Sequence, residues 1–277
     1  MAPSDNSAPS LSPPLKWAGG KRWLLPHLRP LWQASDASRL VEPFCGGLAV
    51  ALGLNPPQAL LNDVNPHLIH FYQALQRGLA LDDPALQNDR AAYEAARARF
   101  NALIDAGAAQ SIEAARLFYY LNRTGYNGLC RFNRSGRFNV PFGRYKTIAY
   151  ARDFASYAPT LRRWSFTCAD FADLDPLRPD DFLYADPPYD APFTQYSQGG
   201  FSWADQERLA EWLAAAPCPT VVSNQATERV LALYHRLGFE IALLDAPRRI
   251  ACTGNRASAR EMLAVRNLPP SSFIARQ

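Results

Sequence analysis

Seven short apolar runs punctuate this 277-residue sequence: Arg39–Phe44, Gln58–Leu61, Ser165–Cys168, Asp181–Ala185, Thr220–Ser223, Phe239–Leu244 and Met262–Val265. Each ends in turn or polar residues and lacks polar alternation, the pattern of strands covered on both faces. Helical spacing separates several of them, at Leu48–Gly53, at Asp205–Ala216 with Leu209, Trp212 and Leu213 on one stripe, and at Thr227–Leu237 before Gly238. Alternation of this kind predicts an α/β domain with a mostly parallel sheet between two helical layers.

The second and third runs are separated by roughly a hundred residues, far more than a connection needs. This stretch opens with helical signals at Tyr93–Ile104 and Ser111–Asn122, the latter with Glu113 near its start. It then brings Arg131-Phe132-Asn133 and Arg137-Phe138-Asn139 to either side of Arg134-Ser135-Gly136, a turn signal that predicts a β-hairpin. The expected organisation is a Ser/Pro/Ala-rich disordered tail over 1–14, a main domain built from 15–66 and 156–277, and an inserted domain over 67–155.

Net charge is only +4, but its distribution is uneven. From Ala114 to Arg152 there are eight cations, Arg116, Arg123, Arg131, Arg134, Arg137, Arg144, Lys146 and Arg152, and no Asp or Glu, so the rest of the chain is net −4. Aromatic and amide residues, among them Tyr119, Tyr120, Tyr126, Asn127, Asn133, Asn139 and Tyr145, are interleaved with them. Such a mixture suits a nucleic-acid surface, and it equally describes a solvated basic face over an aromatic core. No apolar run reaches membrane-spanning length, and the N-terminus has no signal-peptide pattern, so a cytoplasmic protein is expected. The five cysteines are widely spaced without CxxC, which points to a reducing compartment and no metal site.

The sharpest chemical signal is Asp186-Pro187-Pro188-Tyr189, directly after the apolar run Phe182-Leu183-Tyr184-Ala185. Ligands of open α/β sheets bind at the carboxyl ends of strands, where this turn falls. Two prolines remove two N–H donors and leave carbonyls as the turn's backbone hydrogen-bonding groups. A carboxylate beside those carbonyls can hold an exocyclic amino group by both its N–H bonds, and Tyr189 offers a face for a heteroaromatic ring. The bland reading is an ordinary strand-ending turn.

Two glycine segments precede it. Leu40 to Leu48 runs a strand through Gly46-Gly47 towards a helix, as a nucleotide-like cofactor loop requires, and Asp63 follows Gly46 by seventeen positions, where an acid can take ribose hydroxyls. A tight turn with a surface Asp fits the same residues. Lys16-Trp17-Ala18-Gly19-Gly20-Lys21 sets a ring and two cations around a flexible turn, or is an ordered arm.

Taken in order, Lys16–Lys21, Glu42-Pro43-Phe44-Cys45-Gly46-Gly47, Asn62-Asp63, Arg123 to Asn133, Phe138 to Tyr145, and Asp186-Pro187-Pro188-Tyr189 resemble the Dam family of DNA adenine-N6 methyltransferases. The likeness runs from about Leu15 to Asn267 and includes Ser223-Asn224 and a terminal hairpin from Arg248 through Glu261-Met262-Leu263. It implies a Rossmann-like methyltransferase sheet with one antiparallel strand, an inserted helical and β-hairpin DNA-recognition domain, and S-adenosylmethionine as methyl donor. Trp17, Lys21, Asp63 and Asp186 match donor-contacting positions, and Phe44, Cys45 and Gly46 the loop beneath the donor. Asp186, Pro187 and Tyr189 match the catalytic turn. Lys16, Tyr126, Asn127, Leu129, Arg131, Pro141 and Tyr145 match DNA-engaging positions, with Arg144 in the same stretch; Arg131 and Pro141 match the part that reads sequence. Leu48 stands where the family often has a second glycine, and Thr124 and Phe132 replace common aromatics.

The resemblance implies methylation of an adenine flipped out of duplex DNA, within GATC, in a bacterial or phage setting. An inert sequence-specific DNA-binding module would share the basic insert without needing the Asp-Pro-Pro-Tyr turn. A cytosine-N4 or RNA methyltransferase would share the turn. A small-molecule enzyme would leave the basic insert unexplained.

Overall fold

The computed structural model describes residues 11–81, 87–151, 153–189, 200–246 and 260–268. Arg152, Cys252, residues 1–10 of the expected tail and most of the expected terminal hairpin, 248–259, lie outside them. All seven apolar runs are strands: β1 (Arg39–Glu42), β2 (Gln58–Asn62), β3 (Trp164–Thr167), β4 (Asp181–Ala185), β5 (Thr220–Gln225), β6 (Glu240–Asp245) and β7 (Arg260–Arg266). They form one sheet in the order β3-β2-β1-β4-β5-β7-β6. The first five strands pair in parallel, and β7 runs antiparallel to both β5 and β6. This is the Rossmann-like methyltransferase arrangement.

Strand order reverses between β1 and β4, whose chains leave in opposite directions from neighbouring positions, so a crevice opens beyond their carboxyl ends. Every residue of β1 and β4 is buried, which is why neither shows alternation in sequence. β1 stops at Glu42, two residues earlier than the apolar run implied, because Pro43 has no N–H to continue the ladder. A bidentate ion pair ties β1 to β4 at their amino ends, with Arg39 Nε and Nη2 donating to Asp181 at 2.7 and 2.8 Å.

The helices are α1 (Leu25–Ala34), α2 (Ala49–Leu54), α3 (Pro66–Gln76), α4 (Arg90–Asp105), α5 (Ile112–Thr124), α6 (Ala158–Leu161), α7 (Trp203–Ala214) and α8 (Glu228–Arg236). Their starts follow capping chemistry: Asp89, Ser111 and Thr227 accept from backbone N–H groups at α4, α5 and α8, and Ser202 with Asp205 forms a reciprocal box at α7. That box starts α7 at Trp203, two residues before the expected start at Asp205. One face of the sheet packs on α7 and α8 through Val41, Leu183, Val222, Leu209 and Leu233. The other, through Leu40, Phe182 and Tyr184, joins a continuous core with α1, α3 and the inserted helices.

α3 belongs to both regions. Its Tyr72 ring lies 5.4 Å from Phe166 of β3, while Phe71 stacks on Tyr119 of α5 at 5.8 Å. The predicted hairpin forms around a Phe132–Phe138 bridge, with Asn133 N donating to Arg137 O at 2.9 Å and Asn139 N to Arg131 O at 3.1 Å. Residues 11–14, the described part of the expected tail, lie on the body: Leu11 packs against the core, and Tyr157 donates to Ser12 O at 2.6 Å.

Candidate active site

Asp186 leaves the end of β4 directly into the crevice, with a fifth of its side chain accessible. Lys21 Nζ lies 3.1 Å from its Oδ2, and Ser223 Oγ, at the end of β5, donates to Oδ1 at 2.9 Å. Ser223 is in turn oriented by the Tyr184 hydroxyl at 2.8 Å. Burial raises the Asp186 carboxyl above the usual carboxylate range, while the Lys21 charge and the two hydrogen bonds pull it back. Lys21 is buried, donates to Gly19 O at 3.0 Å, and sits 4.7 Å from the Tyr189 ring centroid. The turn is fastened on its far side, where Gln206 Nε2 donates to Pro188 O at 2.8 Å.

Two further acids lie within electrostatic reach of Asp186. Glu42, at the end of β1, is buried and pushed well above its ordinary value by burial and by the Asp186 charge, with an Ala51 N–H opposing. Glu261, on β7 opposite Gln225, is raised by burial, and Lys21 and the Tyr189 phenol beside it oppose that rise. Three carboxyls that feel one another's charge make the crevice acceptor-rich.

The glycine segment is a tight loop under Trp17. Cys45 N donates to Asn62 O at 2.7 Å, Tyr72 Oη to Gly46 O at 2.7 Å, and Gly46 N to Asp63 Oδ2 at 3.2 Å. A Cβ on Gly46 would stand 2.7 Å from Trp17 Nε1, and one on Gly47 2.7 Å from Trp17 Cβ, so both must be glycine for the indole to lie there. Leu48 takes a left-handed backbone, φ +59°, at the position where the resembled family often has glycine. That conformation costs a leucine about 1–2 kcal/mol, and here the side chain is wholly buried in compensation. Asp63 accepts from Asn65 N at 2.9 Å as well as from Gly46; burial lifts its carboxyl to about 6 against those two bonds. Beside it Val64 is 58% exposed, an apolar face turned outward at the crevice rim. Phe44 leans on Phe171 and Phe201 at 5.9 and 5.8 Å. Cys45 contributes backbone; burial pushes its thiol well up.

The residues matched to DNA contacts gather where the N-terminal arm meets the insert. Lys16 and Asn122 exchange two bonds: Lys16 N to Asn122 Oδ1 and Asn122 Nδ2 to Lys16 O, each 2.8 Å. Lys16 Nζ donates to Arg123 O at 3.1 Å and lies 3.5 Å from the Tyr145 ring centroid. Burial and the Arg123 charge lower its pKa. Tyr126 N donates to Pro141 O at 2.8 Å, Tyr145 Oη to Gly125 O at 3.1 Å, and Asn127 adopts φ +54°. Tyr126 is half exposed, Pro141 and Arg144 are exposed, and Leu129 packs partly against the core. Arg131 is held along the hairpin by Asn139, Nε to Oδ1 at 2.8 Å and Nη2 to O at 3.1 Å.

The basic segment divides between residues of the core and residues on the surface. Tyr119, Tyr120 and Phe138 are core, Arg116 and Arg123 bind the Ala80 and Ala149 carbonyls, and Arg137 pairs with Asp105. Arg134, Arg144 and Lys146 stand exposed around Tyr126 and the hairpin.

A profile of the D12 class N6 adenine-specific DNA methyltransferases matches residues 17–250, most of the chain. The chain belongs to this family. It is 36% identical over 265 residues to the retron Ec67 DNA adenine methylase of Escherichia coli, covering 91% of this chain and 90% of that protein. It is 34% identical to the DNA adenine methylase of Vibrio cholerae, covering 91% and 94%, and 34% identical to the DNA N-6-adenine-methyltransferase of Escherichia phage P1, covering 90% of this chain and 35% of that one. A magnesium protoporphyrin IX methyltransferase from Synechocystis PCC 6803, solved with bound SAM, aligns with a TM-score of 0.37 at 11% identity over 89% of this chain and 80% of that one, too weak a likeness to add to the strand order.

As a D12 methyltransferase the protein is a DNA adenine methyltransferase, and S-adenosylmethionine is its methyl donor. The crevice fits such a donor. Glycines admit the Trp17 indole over the loop, Asp63 presents a carboxylate, Val64 an apolar face, and Glu42 Oε1 is a buried acceptor with no hydrogen-bond partner among the described residues.

Sequence reasoning did not assign Glu42, Ser223, Gln206, Asn224 or Glu261 a place in this D12 site. Glu42, Ser223, Asn224 and Glu261 fall within stretches that carry the resemblance, without a role attached to them, and Gln206 is a polar residue on the stripe of α7 otherwise formed by Leu209, Ala210 and Leu213. Their meeting depends on how the strands and α7 are arranged.

Proposed function

We propose that this methyltransferase acts on an adenine rotated out of duplex DNA, within GATC, and that Asp186 and Pro187 hold the base by its amino group. A stacked adenine cannot present that nitrogen to the crevice, and extruding it costs about a few kcal/mol. Tyr126, half exposed, is the residue assigned to fill the gap. Tyr189 is the stacking face for the extruded base. The amino lone pair is delocalised into the purine; two hydrogen bonds, to Asp186 and to the Pro187 carbonyl, favour a pyramidal nitrogen with that pair directed outward. Each Asp186 oxygen already accepts one bond and has a second lone pair to offer. When bound, S-adenosylmethionine supplies an electrophilic methyl carbon; the chain's contribution is alignment and a fixed electrostatic environment.

The donor side is assigned to Trp17, Lys21, Phe44, Cys45, Gly46, Asp63 and Asp186. The DNA side is assigned to Lys16, Tyr126, Asn127, Leu129, Arg131, Pro141, Arg144 and Tyr145, with 67–155 as the recognition part and 15–66 with 156–277 as the catalytic part. The hairpin pre-orients Arg131 through Asn139, which lowers the entropy lost when a guanidinium meets a base edge.

The observation that carries this reading is the Asp186 carboxylate at the strand-order switch, held by Lys21 and Ser223. Expression in a methylation-free bacterial host followed by single-molecule sequencing of genomic DNA tests it. N6-methyladenine in GATC is expected; methylation of another base, or of adenine in other sequences only, would overturn the corresponding part.

A further inference from the structure

The catalytic turn has an unusual mechanical weakness. Pro187 and Pro188 have no N–H, so the segment can be anchored to the body only through its carbonyls. One anchor is Gln206, 1% exposed on the first turn of α7, whose Nε2 donates to Pro188 O at 2.8 Å. Its Oε1 accepts from Asn224 Nδ2 at 3.1 Å, and Asn224 Oδ1 accepts from the Gln225 N–H at 2.8 Å. Asn224 is fully buried on β5, paired opposite Met262 of β7. The polarity of both amides is fixed at the ends, since a carbonyl can only accept and a backbone N–H only donate. A buried amide chain thus runs from the sheet to the catalytic turn.

Capping does not explain Gln206, because Ser202 and Asp205 already close the start of α7. Leucine at this stripe position would be the favourable choice for burial, so an amide here has to be explained by its hydrogen bonds. Among the described residues, no hydrogen bond ends on the Pro187 carbonyl. With Pro188 O held by α7, the preceding carbonyl is, among the described residues, an acceptor still available to a ligand.

The geometry points to Gln206 and Asn224 as positioning residues for methyl transfer: they fix the Pro188 carbonyl and through it the direction in which Pro187 offers its own to the adenine amino group. This inference rests on the reading that Asp186 and Pro187 grip that group. It assigns the pair no contact with substrate or donor.

Gln206→Met keeps length and apolar volume and deletes both hydrogen bonds. Gln206→Glu sets an oxygen against Pro188 O. Asn224→Asp keeps the acceptor for Gln225 and loses the donor to Gln206. Single-turnover methyl transfer to a GATC duplex, dissociation constants for S-adenosylmethionine and duplex, and thermal midpoints are measured for each, with Asp186→Ala as reference. Misplacing a reacting group by a fraction of an ångström slows a step by about 10- to 100-fold, and that loss is expected in Gln206→Met with both dissociation constants within about threefold of wild type. Rates within about threefold of wild type beside an inactive Asp186→Ala would overturn the positioning role alone. So would losses that follow the fraction of folded protein across all three variants. An active Asp186→Ala would instead overturn the reading beneath it.

Discussion

Lys21 Nζ stands 3.1 Å from Asp186 Oδ2, in a crevice that also holds Glu42 and Glu261, and Lys21 is only 5% exposed. The ammonium is the counterion that lets a buried carboxyl ionise: burial raises Asp186, and Lys21 is the first influence acting against it.

Removing that counterion moves the acid limb of catalysis. In Lys21→Met the charge and hydrogen bond are both lost, so the Asp186 carboxyl climbs further. On the proposed reading the ionised form accepts the amino N–H, so activity is then expected to require a higher pH. The pH profile of single-turnover methylation at saturating donor and DNA is expected to shift its acid limb upward; an unchanged limb would show that Asp186 titration does not control the step.

The proposed assignment of Asp63 to the donor side predicts a pH dependence of donor binding. Its carboxyl titrates at about 6 in the folded chain, against an ordinary 3.8, and only the ionised form accepts two hydroxyl protons. The dissociation constant for S-adenosylmethionine is therefore constant above this value and weakens as pH falls through it, by about tenfold per unit well below. Calorimetric titration between pH 5 and pH 8 checks this. Asp63→Asn should bind weakly at every pH with no such slope.

Gly46→Ala and Gly47→Ala test whether the indole contact is needed. Each new Cβ would meet Trp17 at 2.7 Å, and Gly46 also holds a positive φ of 42°. Displacement of the ring is expected to weaken donor affinity by about ten- to a hundredfold, or about 1.4–2.8 kcal/mol, while duplex affinity measured without donor stays near wild type. Equal losses for both ligands would assign the glycines to folding.

Tyr126→Ala should slow methylation of a fully paired GATC duplex. Half exposed and fixed by its backbone bond to Pro141, the ring is assigned to stabilising the gap left by the base. A duplex with a mismatch opposite the target adenine has a lower extrusion cost, and on it the variant should recover most of the wild-type rate. Equal defects on both duplexes would remove the gap-filling role.

The strands were legible because burial on both faces writes itself as uninterrupted apolar runs, and Pro43 is why β1 stops short of its run. α4, α5, α7 and α8 carry stripes and caps that sequence shows directly. α3 does not: seven of its eleven residues are buried, so its apolar surface has no single face. α1 contains Pro30 in its interior, which sequence rules count against a helix. In the site, Asp186, Lys21, Asp63 and Trp17 converge as their motifs imply. Ser223 and Asn224 reach the same place because β5 lies beside β4, Gln206 because α7 packs on that side of the sheet, and Glu261 because β7 runs back between β5 and β6; no local pattern encodes that register.

The paired bonds between Lys16 and Asn122 have a consequence for engineering. A side chain of the insert occupies the donor and acceptor of a backbone unit one residue from Trp17, much as a neighbouring strand would. Transplanting a foreign insert to change which DNA sequence is modified would sever this handshake unless the incoming helix carried an asparagine at the same height. Chimeras in this scaffold should therefore be spliced to retain α5 through residue 122, exchanging only what lies beyond it.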